Sequence, residues 1–239
     1  MTPAFLKLPF ILTSLLAFQA TTTPPNPPPR PDETVTSTKL EVVVKQRIGI
    51  LLVQTIFWLA SLAEAATILA SQNPQSACSQ RILKLLVLSH TAEDIRVRPT
   101  VTFFLGVILI CFGSYIRWSC FRALGRMFTF EMSIRKDHQL IRDGFYSMVR
   151  HPAYTGVLLT QAGIMCWHAT PGSWVMQSGI LETTFGKLLG LVYVALVSTI
   201  TIGLLFRMSR EDAILKKTFK EEWDVWAKEV PYKLVPGLL

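Results

Sequence analysis

The sequence predicts an all-α protein that crosses a membrane about five times and ends in an amphipathic helix. Of its 239 residues 50% are hydrophobic and 17% are charged, and the mean hydropathy is +0.38, which excludes an ordinary soluble domain. The apolar residues form runs of membrane-spanning length, and Lys and Arg residues flank those runs. The net charge of +8 therefore reflects membrane topology, so we expect a lipid bilayer as partner and no nucleic acid.

The first segment, residues 1–47, combines an apolar stretch with a connector. Residues 3–20 carry Lys7 ahead of an apolar run, a pattern that fits either a signal peptide or a first transmembrane helix. Residues 21–38 are rich in Pro and Thr and cannot sustain a helix, so we expect an extended, polyproline-like connector. We interpret this connector first as a stiff linker and second as a ligand for an SH3-type domain.

The second segment, residues 48–123, begins with a membrane helix. The run at 48–70 has 23 residues, and a rise of about 1.5 Å per residue carries it across a hydrocarbon core of about 30 Å. Glu64 within it is costly in lipid, so its side chain should face protein, water or the interface. The apolar patch at 82–88 is too short to span the membrane and predicts an interfacial helix.

Three further spans complete the predicted set. The run at residues 101–115 leads to Arg117 and Trp118, two side chains that favour the membrane interface. Residues 152–169 and 185–206 are also apolar, and the loop between them carries no Lys or Arg. With residues 3–20 and 48–70, these runs give about five membrane helices.

The third segment, residues 124–239, ends in a tail that should form an amphipathic helix over residues 207–231. We expect this helix to lie in the headgroup plane with Trp223 and Trp226 as anchors, or else to pack on the cytosolic loops. Pro231 ends it. The apolar positions that recur at spacings of three and four are Leu215, Phe219, Trp223, Trp226 and Val230.

The distribution of positive charge predicts the side of the membrane on which each loop lies. Two clusters of Lys and Arg, within residues 117–150 and within residues 207–220, belong on the cytosolic side. This orientation makes residues 3–20 an uncleaved helix, because a cleaved signal peptide would invert everything after it. A smaller set of cations falls on the predicted lumenal side: Arg81, Lys84, Arg96 and Arg98.

The longest polar stretch between two spans, residues 131–156, concentrates groups suited to chemistry. His138, Tyr146, His151 and Tyr154 supply two imidazoles and two phenols, which suit a polar cofactor that carries a positive charge. Two His residues so far apart, without a third His or a Cys in the stretch, make a poor metal site, so we expect no metal.

A second candidate lies where the last span meets the cytosolic side. Arg207 and Glu211 are four residues apart and therefore share one face of a helix. Such a pair can be an ordinary surface ion pair of little energetic value. Arg207 also follows directly on an apolar run, a place where a guanidinium is suited to bind a carboxylate attached to a lipid.

These two regions resemble the isoprenylcysteine carboxyl methyltransferase family. The resemblance rests on the elements His-Gln-Leu-Ile, Gly-Phe-Tyr and Arg-His-Pro-Ala-Tyr-Thr-Gly, and on Arg-x-x-x-Glu-Asp-x-x-Leu-x-x-x-Phe in the tail. It implies a helical membrane enzyme that takes S-adenosylmethionine from the cytosol and methylates the C-terminal carboxylate of a prenylated cysteine. It further implies a multi-pass protein of the endoplasmic reticulum membrane whose active site faces the cytosol.

Matching the family motifs residue by residue implies a site. Arg207 would contact the substrate, and Arg207 and Glu211 would be the catalytic residues. A cytosolic loop would bind the cofactor together with residues at the ends of two spans. The cofactor-binding residues so implied are His138, Gln139, Leu140, Ile141, Tyr146, His151, Pro152, Ala153, Tyr154 and Glu211.

The chain also departs from the family pattern. Glu131 stands where the family often has an amide, and Asp212 stands where the family has a second Glu. Lys220, Trp223 and Trp226 replace a Gly and two Tyr. An acid and aromatic anchors are kept, so the changes bear on substrate preference more than on catalysis.

The chemistry of the implied acceptor agrees with this residue set. A prenylcysteine carboxylate, with a reference pKa of about 3.5, is ionised at neutral pH and needs no general base. The site must instead desolvate the carboxylate and aim it at the methyl group. No Gly-x-Gly-x-x-Gly occurs, so membrane helices and their cytosolic loop would hold the cofactor.

Two other functions fit parts of the sequence. The first is a methyltransferase for another membrane lipid, a phospholipid amine or a small isoprenoid. Arg207 discriminates between these readings, because a guanidinium suits an anionic acceptor and repels an ammonium. The second is a non-enzymatic membrane adaptor, which would not require His138, Tyr146, His151 and Glu211 together.

Overall fold

The computed structural model describes residues 3–30, 33, 48–88, 97–133 and 138–238. Its secondary structure confirms the all-α prediction for these residues, with short 3-10 helices between the α-helices. Most of the predicted connector beyond Arg30, and Arg96, lie outside the described residues. The α-helices are α1 (Lys7–Thr22), α2 (Ile48–Ala70), α3 (Ala77–Leu86), α4 (Val101–Leu124), α5 (Pro152–His168), α6 (Trp174–Gln177), α7 (Thr184–Phe219) and α8 (Glu221–Glu229).

Within the described residues, four stretches of helix are long and apolar enough to cross a membrane. They are Pro3–Thr22, Ile48–Ala70, Val101–Met127 and Thr184–Phe219. Long apolar helices form here because every backbone group of a spanning segment must be paired within the segment. The fifth predicted span coincides with α5, which has 17 residues, and its crossing stays a prediction.

The chain divides into two compact units. Unit 1 consists of Met1–Gln19, Leu52–Cys111 and Thr160–Val197, and unit 2 consists of Ala20–Leu51, Phe112–Leu159 and Ser198–Leu239. The two cation clusters of the sequence, within 117–150 and within 207–220, both belong to unit 2. The three sequential segments 1–47, 48–123 and 124–239 remain a prediction of domain order.

The side chain of Glu64 faces the protein interior of unit 1, which is one of the three surroundings that the sequence allowed for this charge. Glu64 and Lys7 are both fully buried and form an ion pair. The indole Nε1 of Trp167 donates to the carboxylate at 3.3 Å, and the backbone N of Trp174 donates to it at 3.0 Å. Lys7 Nζ also donates to the carbonyl of Gly172 at 3.1 Å. These bonds compensate the desolvation of both charges and bind α1 into unit 1.

Glycines allow α4 and α5 to approach closely within each unit. In unit 1 a Cβ added at Gly163 would lie 2.6 Å from the carbonyl oxygen of Gly106. In unit 2 a Cβ added at Gly156 would lie 2.6 Å from the carbonyl oxygen of Gly113. Small residues at helix contacts are the usual means of tight packing in membranes.

A helix is present at the apolar patch of residues 82–88, as predicted, but it begins before the patch. The interfacial helix expected at residues 82–88 is α3, which begins at Ala77 and ends at Leu86 and buries Ser79 and Leu83. Gln80 and Arg81 are tolerated because they lie on the exposed face of this amphipathic helix, whereas Ser79 shares the buried face with Leu83.

The tail is not one separate amphipathic helix over 207–231. The last span continues without interruption as α7 to Phe219, and Lys220, with a φ of 51°, separates it from α8. Trp226 is 2% exposed and packs inside unit 2, where it lies among protein side chains. The spacing of apolar residues identified a buried face correctly, but such a pattern does not distinguish a lipid surface from a protein partner.

Candidate functional site

An aromatic core in unit 2 supports the residues implied in function. Tyr146 and Ala153 belong to this core, and Leu140 and Ile141 pack against it. The indole Nε1 of Trp226 donates to the backbone carbonyl of Tyr146 at 3.3 Å. The other buried members are Ile116, Cys120, Phe121, Phe128, Phe130 and Val230.

Tyr146 is positioned by a short 3-10 helix, Gly144–Ser147, that follows the polar loop. Gly144 begins this turn with a φ of 63°, a conformation that glycine adopts without strain. The turn directs the Tyr146 ring into the core, where burial raises the pKa of its phenol well above the usual range. A Tyr phenol is neutral at physiological pH in any case, and burial makes its ionisation less favourable still, so it serves as a donor or acceptor of hydrogen bonds.

Glu211 joins two of the predicted residues. The Tyr154 hydroxyl donates to Glu211 Oε2 at 2.6 Å, and Arg207 Nε lies 4.0 Å from the same oxygen. The Arg207 side chain is 10% exposed, and its Nη1 also donates to the backbone carbonyl of Phe130. Tyr154 therefore holds Glu211 more closely than Arg207 does, although Arg207 lies only one helical turn away.

Asp212, the next residue, is the centre of a second polar group. His151 Nε2 lies 3.0 Å from Asp212 Oδ1, and Arg150 Nη2 donates to Oδ2 at 3.4 Å. Lys233 Nζ is 3.8 Å from Oδ2. The His151 and Tyr154 rings stack at 5.5 Å, so the groups around Glu211 and Asp212 adjoin each other. The carboxylate of Asp212 thus joins the start of α5 to α7 and to the C-terminal tail.

Residues 230–234 of that tail pack across the start of α5. The backbone N of Arg150 donates to the carbonyl of Tyr232 at 2.9 Å, and the backbone N of His151 donates to that of Lys233 at 2.8 Å. Thr155 Oγ1 donates to the carbonyl of Leu234 at 2.7 Å. The tail therefore satisfies N–H groups that a helix start leaves without intrahelical partners.

Arg117 is a further cation in unit 2 whose contacts the sequence did not reveal. Its Nε donates to the carbonyl of Thr21 at 2.7 Å, and its guanidinium lies 5.0 Å from the centre of the Phe130 ring. Trp118, by contrast, is exposed, and its position at a membrane interface stays a prediction. A long-range contact such as that between Thr21 and Arg117 leaves no local signal in a sequence.

All ten residues of the predicted cofactor set lie in unit 2, but in different surroundings. His151, Tyr154 and Glu211 form the polar groups described above. His138 faces the ring of Phe219 at 6.0 Å, and the backbone N of Gln139 lies 3.3 Å from Met127 Sδ. Pro152 occupies the first turn of α5, where its missing N–H and fixed φ suit a helix start.

The sequence left Glu131 without a clear role, and in the chain it comes directly after Phe130, a member of the aromatic core. Its backbone carbonyl accepts a hydrogen bond from Thr129 Oγ1 at 2.7 Å. Asp212, Lys233 and the tail carbonyls were missed as site residues, since their partners lie far away in the sequence. The adjacent acids Glu211 and Asp212 were the one available signal, because two carboxylates beside a span call for cations or hydroxyls nearby.

The central part of the chain is similar to a known protein family. The model of the isoprenylcysteine carboxyl methyltransferase (ICMT) family matches residues 106–217. This range includes α5, α7 to Lys217, and both Arg207 and Glu211.

The chain is also similar to curated proteins that are named protein-S-isoprenylcysteine O-methyltransferase. The chain is 25% identical over 128 residues to protein-S-isoprenylcysteine O-methyltransferase B of Arabidopsis thaliana. The matched stretch covers 53% of this chain and 55% of that relative. The chain is 27% identical over 130 residues to protein-S-isoprenylcysteine O-methyltransferase of Schizosaccharomyces pombe, with 51% and 44% covered. It is 30% identical over 117 residues to the Saccharomyces cerevisiae protein of that name, with 46% and 49% covered.

The matched region spans about half the length of these curated relatives. No solved structure matches the chain.

Proposed function

We propose that this chain, whose residues 106–217 match the model of the isoprenylcysteine carboxyl methyltransferase family, acts as a member of that family and methylates the C-terminal carboxylate of prenylated cysteines in proteins. The methyl donor in this proposal is S-adenosylmethionine. The proposed enzyme acts as a multi-pass protein of the endoplasmic reticulum membrane, with its site on the cytosolic side. Support for that orientation comes from the two cation clusters, which both belong to unit 2 together with the candidate site.

The position of Arg207 is the observation that carries this proposal. Its side chain is 10% exposed and sits directly after the most apolar part of α7, where a lipid-linked acceptor would arrive. A guanidinium in such a place attracts a carboxylate strongly and can bind it through two parallel hydrogen bonds. Arg207 Nε lies 4.0 Å from Glu211 Oε2, and the same oxygen accepts a shorter hydrogen bond, of 2.6 Å, from the Tyr154 hydroxyl.

The residues of unit 2 also fit the proposed donor. S-adenosylmethionine carries hydroxyls and an ammonium that suit carboxylates, and a sulfonium that suits aromatic faces. Glu211 with the Tyr154 phenol, and the stacked rings of His151 and Tyr154, supply both kinds of group. When bound, the donor supplies an activated methyl group. The residues proposed to hold it are His138, Gln139, Leu140, Ile141, Tyr146, His151, Pro152, Ala153, Tyr154 and Glu211.

The protein's contribution is positioning and electrostatic attraction. The acceptor carboxylate is already ionised at neutral pH, so no residue has to remove a proton from it. Arg207 would hold the carboxylate away from water, and its link to the Phe130 carbonyl keeps the guanidinium oriented. The neutral phenol of Tyr146 adds a polar group without adding a charge that would compete for Arg207.

The proposal is tested by methyl transfer in membranes that carry this chain. Labelled S-adenosylmethionine and N-acetyl-S-farnesylcysteine should give a labelled methyl ester, and Arg207→Ala should abolish most of it. The matched control is Arg210→Ala, because Arg210 lies on the same helix but is exposed. The labelled product distinguishes the competing lipid function: a phosphatidylethanolamine methylated in place of the prenylcysteine would refute the proposed acceptor.

A further inference from the structure

The connector after α1 contains a motif that the proposed function does not use. Residues 25–30 read Pro-Asn-Pro-Pro-Pro-Arg, which matches the pattern Pro-x-x-Pro-x-Arg. Segments with this pattern form a polyproline II helix and bind in the aromatic-lined grooves of SH3 domains. An Arg placed after the second Pro adds a charged contact with carboxylates beside such a groove.

The burial of this segment follows the period of a polyproline II helix, which has three residues per turn. Asn26 and Pro29, three residues apart, are half-buried, whereas Pro25 and Pro28, also three apart, are exposed. Arg30 is exposed as well. One edge of the segment therefore lies against the protein, and the residues that an SH3 groove would contact face outward.

Two sets of hydrogen bonds hold the segment in this orientation. Asn26 Nδ2 donates to the carbonyls of Gly125 at 2.7 Å and of Phe128 at 2.9 Å, both within unit 2. At the other end, the backbone N of Glu33 donates to the carbonyl of Arg30 at 3.1 Å, and the backbone N of Arg30 donates to Glu33 Oε2 at 3.2 Å. The chain bends at Pro25 and Asn26 and has no bend or turn from Pro27 to Arg30. Holding part of a ligand in a fixed orientation lowers the entropic cost of binding.

We propose that residues 25–30 are a docking site for an SH3 domain. Pro25 and Pro28 contact the aromatic groove, and Arg30 contacts the acidic pocket beside it. Asn26 and Pro29 remain on the body of unit 2 and present the motif. The predicted orientation of the membrane helices puts this connector on the cytosolic side, within reach of a soluble partner. This site is independent of the methyl-transfer function.

The test uses the full chain in lipid nanodiscs and a purified SH3 domain selected for Pro-x-x-Pro-x-Arg ligands. A synthetic peptide of residues 22–33 is titrated first, and both peptide and chain should bind the domain. Pro28→Ala and Arg30→Glu should each weaken binding to the chain by about tenfold or more. Pro29→Ala is the matched control and should keep the native affinity, because its side chain lies on the edge that faces the protein.

Several results would overturn the proposal. These are a peptide that the domain does not bind, a chain that fails to bind the domain that binds the peptide, and an equal loss in Pro29→Ala and Pro28→Ala. Stronger binding to a WW domain than to the SH3 domain would overturn the choice of partner. Thermal unfolding of each variant, which should match that of the native chain, excludes misfolding as the cause of lost binding.

Discussion

The two units treat charge in opposite ways. In unit 1 the ion pair of Lys7 and Glu64 is fully buried, and backbone and indole groups complete the hydrogen bonds around it. In unit 2 Glu211 is partly exposed, and Arg207 is linked to it at a distance of 4.0 Å. Closed pairs of the first kind hold helices together, whereas a longer pair with a partly exposed carboxylate can rearrange around a ligand.

The contrast suggests that the surroundings of a charged residue, rather than its type, indicate whether it stabilises the fold or serves in function. Both units contain a base and an acid on apolar helices, and the sequence placed Glu64 within a span and Glu211 just beyond the end of one. The difference lies in what surrounds each carboxylate. Changes in unit 1 should therefore alter stability alone, and changes in unit 2 should alter catalysis.

The largest expected effect on stability comes from breaking the buried pair. Glu64→Gln leaves the Lys7 ammonium buried without its counter-ion and should lower the free energy of unfolding by about 3–5 kcal/mol. Thermal unfolding in nanodiscs measures this loss. The double variant Lys7→Met/Glu64→Gln should recover much of it, because no uncompensated charge remains. Equal stability of the single variant and the native chain would show that the pair contributes nothing.

A smaller effect, this time on activity, is expected at Asp212. Asp212→Asn removes the charge that faces His151, Arg150 and Lys233, at a cost of about 1.5–3 kcal/mol for charged hydrogen bonds. The start of α5 should shift, and the apparent KM for S-adenosylmethionine should rise.

The control is Asp224→Asn. Asp224 pairs with Lys216 at 2.8 Å on the exposed surface, where such a pair is worth little. If both Asn variants had the same KM, the polar group around Asp212 would have no role in positioning.

The smallest effects are expected at the close helix contacts. Gly156→Ala and Gly163→Ala push a methyl group against a backbone carbonyl and should each cost about 1–3 kcal/mol of stability. Only Gly156→Ala, in unit 2, should also reduce methyl transfer by the remaining folded enzyme. Gly203→Ala, which would meet no atom within 4 Å, is the control. A unit 1 variant that lost activity while it stayed folded would break the distinction between the units.

The sequence predicted what depends on local pattern. Apolar runs located α1, α2, α4 and α7, because a spanning helix is defined by length and hydropathy alone. The sequence did not predict which charged side chains pair with each other. Lys7 pairs with Glu64, more than fifty positions away, and Lys233 of the folded tail lies close to Asp212. The break at Lys220 was missed as well, although the family has a Gly at this position, the residue that adopts a positive φ without strain.

The sequence predicted which residues belong to the candidate site, but it did not predict which of their side chains contact each other. The motifs named Arg207, Glu211, His151 and Tyr154, and the structure adds that Tyr154 holds Glu211 while Asp212 holds His151. Side-chain pairing across helices depends on packing, which motif spacing does not encode. The assignment of these residues to donor and acceptor remains the proposal made above.

The central claim, that Arg207 holds the acceptor carboxylate, is tested most directly by comparing the affinity of a prenylcysteine with that of its uncharged amide. The native enzyme should bind the carboxylate much better, and Arg207→Ala should lose that preference. Arg207→Lys should keep part of the preference but turn over slowly, because a point charge lacks the planar fork that aims the oxygen. A preference for the carboxylate that survives in Arg207→Ala would contradict the claim and assign the acceptor to another cation of unit 2, such as Arg117.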